Sequence, residues 1–119
     1  MEDDVLVRDT VIAMINRLGY DADYAGDADE TVEKYTSSQS NGKAFDAVLI
    51  DLTVNGELQG LEVMERLREI NSDIVAILST GYLNNPVINQ YKEYGFKELL
   101  HKPYDMKELG DAIKNSMEE

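Results

Sequence analysis

The run Ala47-Val48-Leu49-Ile50 carries no charge and ends abruptly in one carboxylate, Asp51, followed by the loop Leu52-Thr53-Val54-Asn55-Gly56. A continuous apolar run bounded by polar and glycine-containing segments reads as a strand buried on both faces. In an open parallel sheet, ligands sit outside the carboxyl ends of the strands, which is where Asp51 stands. Two more strand-like runs end in polar groups. Ile74 to Ser79 stops at Thr80 before Gly81, and Phe96 to His101 closes on Lys102-Pro103. An acidic pair, Glu2-Asp3, lies just before the first helical pattern. Carboxylates crowded together attract a divalent cation, so these acids are candidate ligands once the fold gathers them.

The elements that must gather them alternate. Val7, Val11, Met14 (or Ile15) and Leu18 recur at helical spacing, and Gly19 stands where a helix stop is favoured. Asp21 to Ala25 reads as a short strand, although Asp is a poor strand former. Asp27 and Glu30 have capping-box spacing and predict a second helix to about Ser37, with a polar surface loop over Ser37 to Lys43. Leu61, Met64, Leu67 and Ile70 supply a third amphipathic helix. Asn85-Pro86 predicts a cap and first turn for a fourth, which ends near Tyr94 before Gly95. Asp105 and Glu108 repeat the capping-box spacing and open a last helix carrying Leu109, Ala112, Ile113 and Met117. Strands alternating with helices predict an α/β fold, a parallel sheet covered on both faces.

Composition bounds the function. The chain has 119 residues, the length of one domain. Its 11 basic and 24 acidic residues give a formal net charge of −13, which repels phosphate backbones and argues against direct nucleic-acid binding. No apolar stretch approaches the roughly 20 residues that span a bilayer, so no membrane insertion is expected. With no cysteine, disulfides and thiolate metal sites are excluded, in keeping with a reducing, cytoplasmic setting.

Taken together, Glu2-Asp3, Asp51 after its apolar run, Thr80-Gly81 after the next strand and Lys102-Pro103 after the last resemble the receiver domain of two-component response regulators, over essentially the whole chain, 1–119. The resemblance implies a flavodoxin-like three-layer sandwich whose parallel sheet has the strand order 2-1-3-4-5. It also implies a reaction: Asp51 accepts a phosphoryl group from a partner's phosphohistidine. Two anions meet in that step, so catalysis is mainly positioning and charge neutralisation. Mg²⁺ (or Mn²⁺) suits the task as a hard cation. Asp3, Asp51 and the Thr53 backbone carbonyl are its implied ligands, with Glu2 reaching it through water. Lys102 pairs with Asp51 and then with a phosphoryl oxygen, and Thr80 donates its hydroxyl to another. The Lys102-Pro103 bond is expected to be cis, as in the family. The implied partner is a histidine kinase or a histidine phosphotransfer protein, and the chain acts as a phosphoacceptor rather than as an enzyme on a separate substrate.

Each residue has an ordinary reading by itself: a turn aspartate, a strand-end threonine, a solvated lysine, helix N-terminal acids. His101, the only histidine, reads as a structural or surface residue, as do Tyr35, Tyr91 and Tyr94. The sequence also departs from the family's pattern. Receivers open with an apolar strand that ends in the acidic pair, and here that first strand is largely missing, since only Met1 precedes Glu2. The expected remedies are a homodimer, elements exchanged between chains, or re-pairing of the remaining strands. Asn55 stands where proline is common, and Leu99 where many receivers carry an aromatic. The longer segment from Ser37 to Phe45, with Leu78-Ser79-Thr80-Gly81-Tyr82, resembles receivers attached to hybrid sensor kinases. The alternative function is a degenerate receiver that serves as a protein-interaction domain without phosphoryl turnover. A phosphoaspartate hydrolase is disfavoured by Thr53, two residues after Asp51. A flavodoxin-like cofactor binder is disfavoured by acids where a phosphate loop would lie.

Overall fold

The computed structural model describes residues 1–82 and 86–118. In chain order these contain α1 (Val5–Arg17), α2 (Ala28–Ser40), β1 (Val48–Asp51), α3 (Gln59–Ile70), β2 (Ala76–Thr80), α4 (Pro86–Asn89), β3 (Glu98–His101) and α5 (Met106–Glu118). The three strands form one parallel sheet in the order β1-β2-β3, with Asp51 opposite Ser79 and Thr80 opposite His101. Successive strand residues point to opposite faces. Ile50, Ala76 and Leu78 therefore join Val63, Met64, Leu67 and Phe96 in a core under α2 and α3. Leu49 and Ile77 join Leu109, Ala112 and Ile113 beneath α1 and α5. This is the three-layer α/β sandwich expected.

The caps follow their sequence signals. Asp4 accepts from the amides of Leu6 and Val7 at the head of α1. Asp105 accepts from Glu108 N–H at 2.8 Å, and Glu108 reciprocates from Asp105 N–H at 3.2 Å, a complete capping box. At α2, Asp27 accepts from Glu30 N–H, but Glu30 reaches back to Gly26 N–H instead. The Lys102-Pro103 bond is cis.

Four expectations are corrected. The second helix runs to Ser40, three residues past Ser37, because Ser38 is buried and its hydroxyl donates to the Tyr35 carbonyl within the helix. The fourth helix stops at Asn89 rather than near Tyr94. Beyond it, Gln90, Glu93 and Gly95 donate to carbonyls three residues back, a tighter winding than an α-helix. Asn85, the expected cap, lies outside the described residues. Asp21 to Ala25 forms no strand, and the five-stranded order reduces to its last three members.

The last two corrections meet in one place, the line between 21–25 and β1, where no strand is assigned among the described residues. Met1 lies in that line: its ammonium donates to Leu49 O at 2.7 Å, Asp51 N–H donates to Met1 O at 3.2 Å, and Glu2 N–H donates to Ala25 O at 2.9 Å. The remaining strands do not re-pair. α1 has no fully buried residue.

Candidate functional site

Three chain segments converge at the carboxyl edge of the sheet. β1 brings Asp51, whose side chain is 8% exposed. The turn after β3 brings Lys102, held in place as its own N–H donates to Thr80 O at 2.8 Å. The N-terminal residues bring Glu2 and Asp3. Lys102 Nζ donates to Asp51 Oδ2 at 2.9 Å and to Glu2 Oε2 at 2.7 Å, one ammonium between two carboxylates. Oxygens of Glu2, Asp3 and Asp51 all lie within 4.8 Å of one another. The expected acids and lysine are therefore brought together.

Thr80 and Thr53 differ in what holds them. Thr80 is buried at the adjoining strand end, and its hydroxyl accepts from Tyr82 N–H at 3.0 Å rather than meeting Asp51. Thr53 N–H points to Asp51 Oδ1 at 3.4 Å, and its buried hydroxyl has no hydrogen-bond partner. Two other residues shape the site beyond what their types announce. Ser79, paired with Asp51 in the ladder, also buries an unpartnered hydroxyl. Asn55 N–H donates to Asp3 Oδ2 at 3.0 Å. Asn55 (φ 53°) and Gly56 (φ 79°) make a left-handed turn, closed by reciprocal bonds between Val54 and Glu57. Proline cannot adopt that φ or donate that bond, which is the physical reason for the departure at Asn55. His101 is exposed, Tyr35 is packed in the core with Asn71 donating to its hydroxyl, and Tyr94 lies at the surface.

Burial pushes the Asp51 carboxyl up to about 6; the Lys102 ammonium opposes the rise and the Glu2 charge adds to it. Burial alone would lower the Lys102 ammonium, but its bonds to Glu2 and Asp51 more than offset this and hold it above the ordinary lysine value. Near neutrality the site is thus an ionised carboxylate beside a fixed ammonium. Three carboxylates against one ammonium leave excess negative charge built of hard oxygens, a donor set that fits Mg²⁺ or Mn²⁺. Among the described residues, no helix is long and apolar enough to cross a membrane.

The response regulator receiver domain family model matches residues 1–114. Sporulation initiation phosphotransferase F of Bacillus subtilis is 27% identical over 114 residues, covering 96% of this chain and 87% of that protein. The transcriptional regulatory protein CrdR of Helicobacter pylori is 27% identical over 117 residues, covering 96% of this chain and 51% of that protein. This chain thus spans most of the first relative but only about half of the second. Among solved structures, a receiver domain protein from Clostridium thermocellum superposes with a TM-score of 0.85 at 20% identity, covering 98% of this chain and 90% of that one. The CheY-like receiver domain protein of Methanospirillum hungatei gives 0.84 at 21% identity, covering 98% and 89%. These structures establish the fold, and the family match adds the lineage: this chain belongs to the response regulator receiver domain family of two-component signal transduction.

Proposed function

We propose that Asp51 accepts a phosphoryl group from a phosphohistidine on a histidine kinase or histidine phosphotransfer protein, and that residues 1–119 act as one such module. The observation that carries this reading is the Lys102 ammonium bonded to both Asp51 and Glu2 within a cluster of three carboxylates. A relative of similar length, named as a phosphotransferase, supports it.

An Asp51 oxygen forms the new P–O bond as the P–N bond to the donor imidazole breaks, and the ring nitrogen leaves with the electron pair. Water later attacks the phosphorus, returning the carboxylate and releasing phosphate. Lys102 moves from Asp51 to a phosphoryl oxygen as charge builds there, and Thr80 exchanges its Tyr82 contact for a second oxygen, which draws the following loop inward. Asp3, Asp51 and the Thr53 carbonyl, with Glu2 through water, would hold Mg²⁺ (or Mn²⁺), which neutralises phosphoryl charge when bound. The strongly acidic surface disfavours nucleic acid as a direct partner. A cytoplasmic setting goes with that kinase partnership.

A second reading, an interaction domain without phosphoryl turnover, is favoured by that same three-stranded sheet. Intact-mass spectrometry after incubation with acetyl phosphate and Mg²⁺ separates the two. An adduct on the wild type and none on Asp51→Ala is the result expected of a phosphoacceptor. No adduct on either, with Mn²⁺ binding also lost, would establish the second reading.

A further inference from the structure

Gln59, the first residue of α3, uses both ends of its side-chain amide. Its Oε1 accepts from Ala28 N–H at 3.2 Å, and its Nε2 donates to Val54 O at 3.3 Å. The first bond completes the head of α2. The cap residue Asp27 accepts from Glu30 N–H, which leaves the buried Ala28 amide in need of an acceptor from elsewhere in the chain. The second bond reaches the turn after Asp51. Only a carboxamide offers a donor and an acceptor on one rigid group, and these two partners fix which way round it lies. The Val54 carbonyl and the Asn55 N–H belong to one planar peptide unit, so tilting either end tilts the other. At the far end of that unit, Asn55 N–H donates to Asp3 Oδ2 at 3.0 Å. A line of hydrogen bonds thus runs head to tail from the Ala28 amide, through Gln59 and the peptide between Val54 and Asn55, to the Asp3 carboxylate.

We propose that Gln59 is a positioning residue for the acids of the site: it sets the tilt of the peptide that aims the Asn55 amide at Asp3, and it ties that aim to the head of α2. The inference rests on the reading that Asp3 helps to hold a divalent cation. Joining α2 to α3 requires only the bond to Ala28. Val54 O already accepts from Glu57 N–H at 3.0 Å, so the bond from Gln59 is not needed to satisfy that carbonyl. What it adds is a second point of attachment, which holds the peptide plane against rotation. Asp3 is exposed, so its carboxylate depends on that amide for its direction. Each hydrogen bond in such a line polarises the next, and the carboxylate meets the whole series rather than one donor. The coupling works in both directions: a cation held by Asp3 steadies the Ala28 amide at the other end.

Gln59→Met keeps the length of the side chain and removes both bonds. Gln59→Glu keeps the acceptor for Ala28 and removes only the donor, so α2 stays capped and the variant stays folded. In the metal-free chain, the Asn55 amide proton should move upfield in the NMR spectrum of both variants as its bond to Asp3 slackens. Mn²⁺ titrated by calorimetry should bind each variant about tenfold more weakly than wild type, in Gln59→Glu despite its added negative charge. That loss should vanish in an Asp3→Ala background, where no carboxylate is left to aim. A mere brace between helices would cost the same in both backgrounds. In the wild type, Mg²⁺ should slow amide exchange at Ala28 about threefold or more, an effect absent from Gln59→Glu. The proposal is overturned by wild-type Mn²⁺ affinity in Gln59→Glu, by an equal loss with and without Asp3, or by an Asn55 signal that does not move. Equal Mn²⁺ binding by wild type and Asp3→Ala would overturn the reading of Asp3 as a metal ligand, and this proposal with it.

Discussion

Asn55 donates its backbone N–H to Asp3 Oδ2 at 3.0 Å, so the turn after Asp51 orients an acid from a distant part of the chain. A left-handed Asn-Gly turn aims one amide at one carboxylate. Asn55→Pro removes the donor and forbids the φ, whereas Asn55→Gly keeps both. In calorimetric titrations with Mn²⁺, Asn55→Pro should weaken binding by about tenfold or more, the usual cost of losing a group that orients a metal ligand. Asn55→Gly should stay near wild type. Equal affinities in the two variants would show that the turn does not hold Asp3.

Gly60 lies where the start of α3 passes under the end of β1. Its N–H donates to Leu52 O, and a Cβ at this position would stand 2.6 Å from Asp51 O and 2.8 Å from Leu52 Cα. Both obstacles are backbone, so neither can rotate away. Gly60→Ala should destabilise the fold by about 2–3 kcal/mol, at the upper end of overpacking costs. Urea unfolding should show this as a lower midpoint with unchanged slope. A midpoint within error of wild type would mean that the two segments part at little cost.

The pH dependence of stability follows from Asp51. Its carboxyl is held at about 6 in the fold, mainly by burial, against an ordinary value of 3.8. The folded chain binds that proton more tightly than the unfolded chain does. The contribution to stability is therefore fully present below about pH 4 and lost as pH rises through about 6. Asp51→Asn mimics the protonated form and leaves Lys102 its Glu2 partner. With chelator present, this variant should melt above wild type at pH 8 and level with it near pH 4. A gap constant across that range would refute the assignment.

How much could be read from the sequence depended on how local each signal was. β1 and β2 were legible because each is a continuous apolar run, buried throughout in β2 and half-buried at the start of β1, and α5 because its capping box names its own first turn. Segment 21–25 was not, since a strand is defined by its pairing with a neighbour, which no residue within the segment records. The end of α2 was hidden for a similar reason. A serine-rich run reads as loop until Ser38 is seen to be buried with its hydroxyl bonded to Tyr35 O. In the site, Asp51, Lys102, Glu2 and Asp3 met as their types and positions implied. The role of Asn55 was invisible because it rests on a backbone amide, which the identity of a side chain does not announce. The unpartnered Ser79 hydroxyl could have been anticipated only from the register that sets it opposite Asp51.

Lys102 both serves the site and competes for it. Its ammonium occupies Glu2 and Asp51 together, at 2.7 and 2.9 Å, and a divalent cation must share those carboxylates with it. Lys102→Met keeps most of the apolar stem and removes the charge. Two carboxylates then face each other without a counter-ion, which raises the Asp51 carboxyl further and strengthens the pull on an added cation. At pH 8 the variant should bind Mn²⁺ several-fold more tightly than wild type. It should nonetheless accumulate the phosphoryl adduct more slowly, by about a hundredfold, because the donor aimed at the developing charge is gone. Calorimetry gives the first quantity and time-resolved intact mass the second. Tighter metal with slower transfer is the signature of a group that neutralises phosphoryl charge. Weaker metal with slower transfer would mean instead that Lys102 acts by holding Glu2 and Asp51 in place.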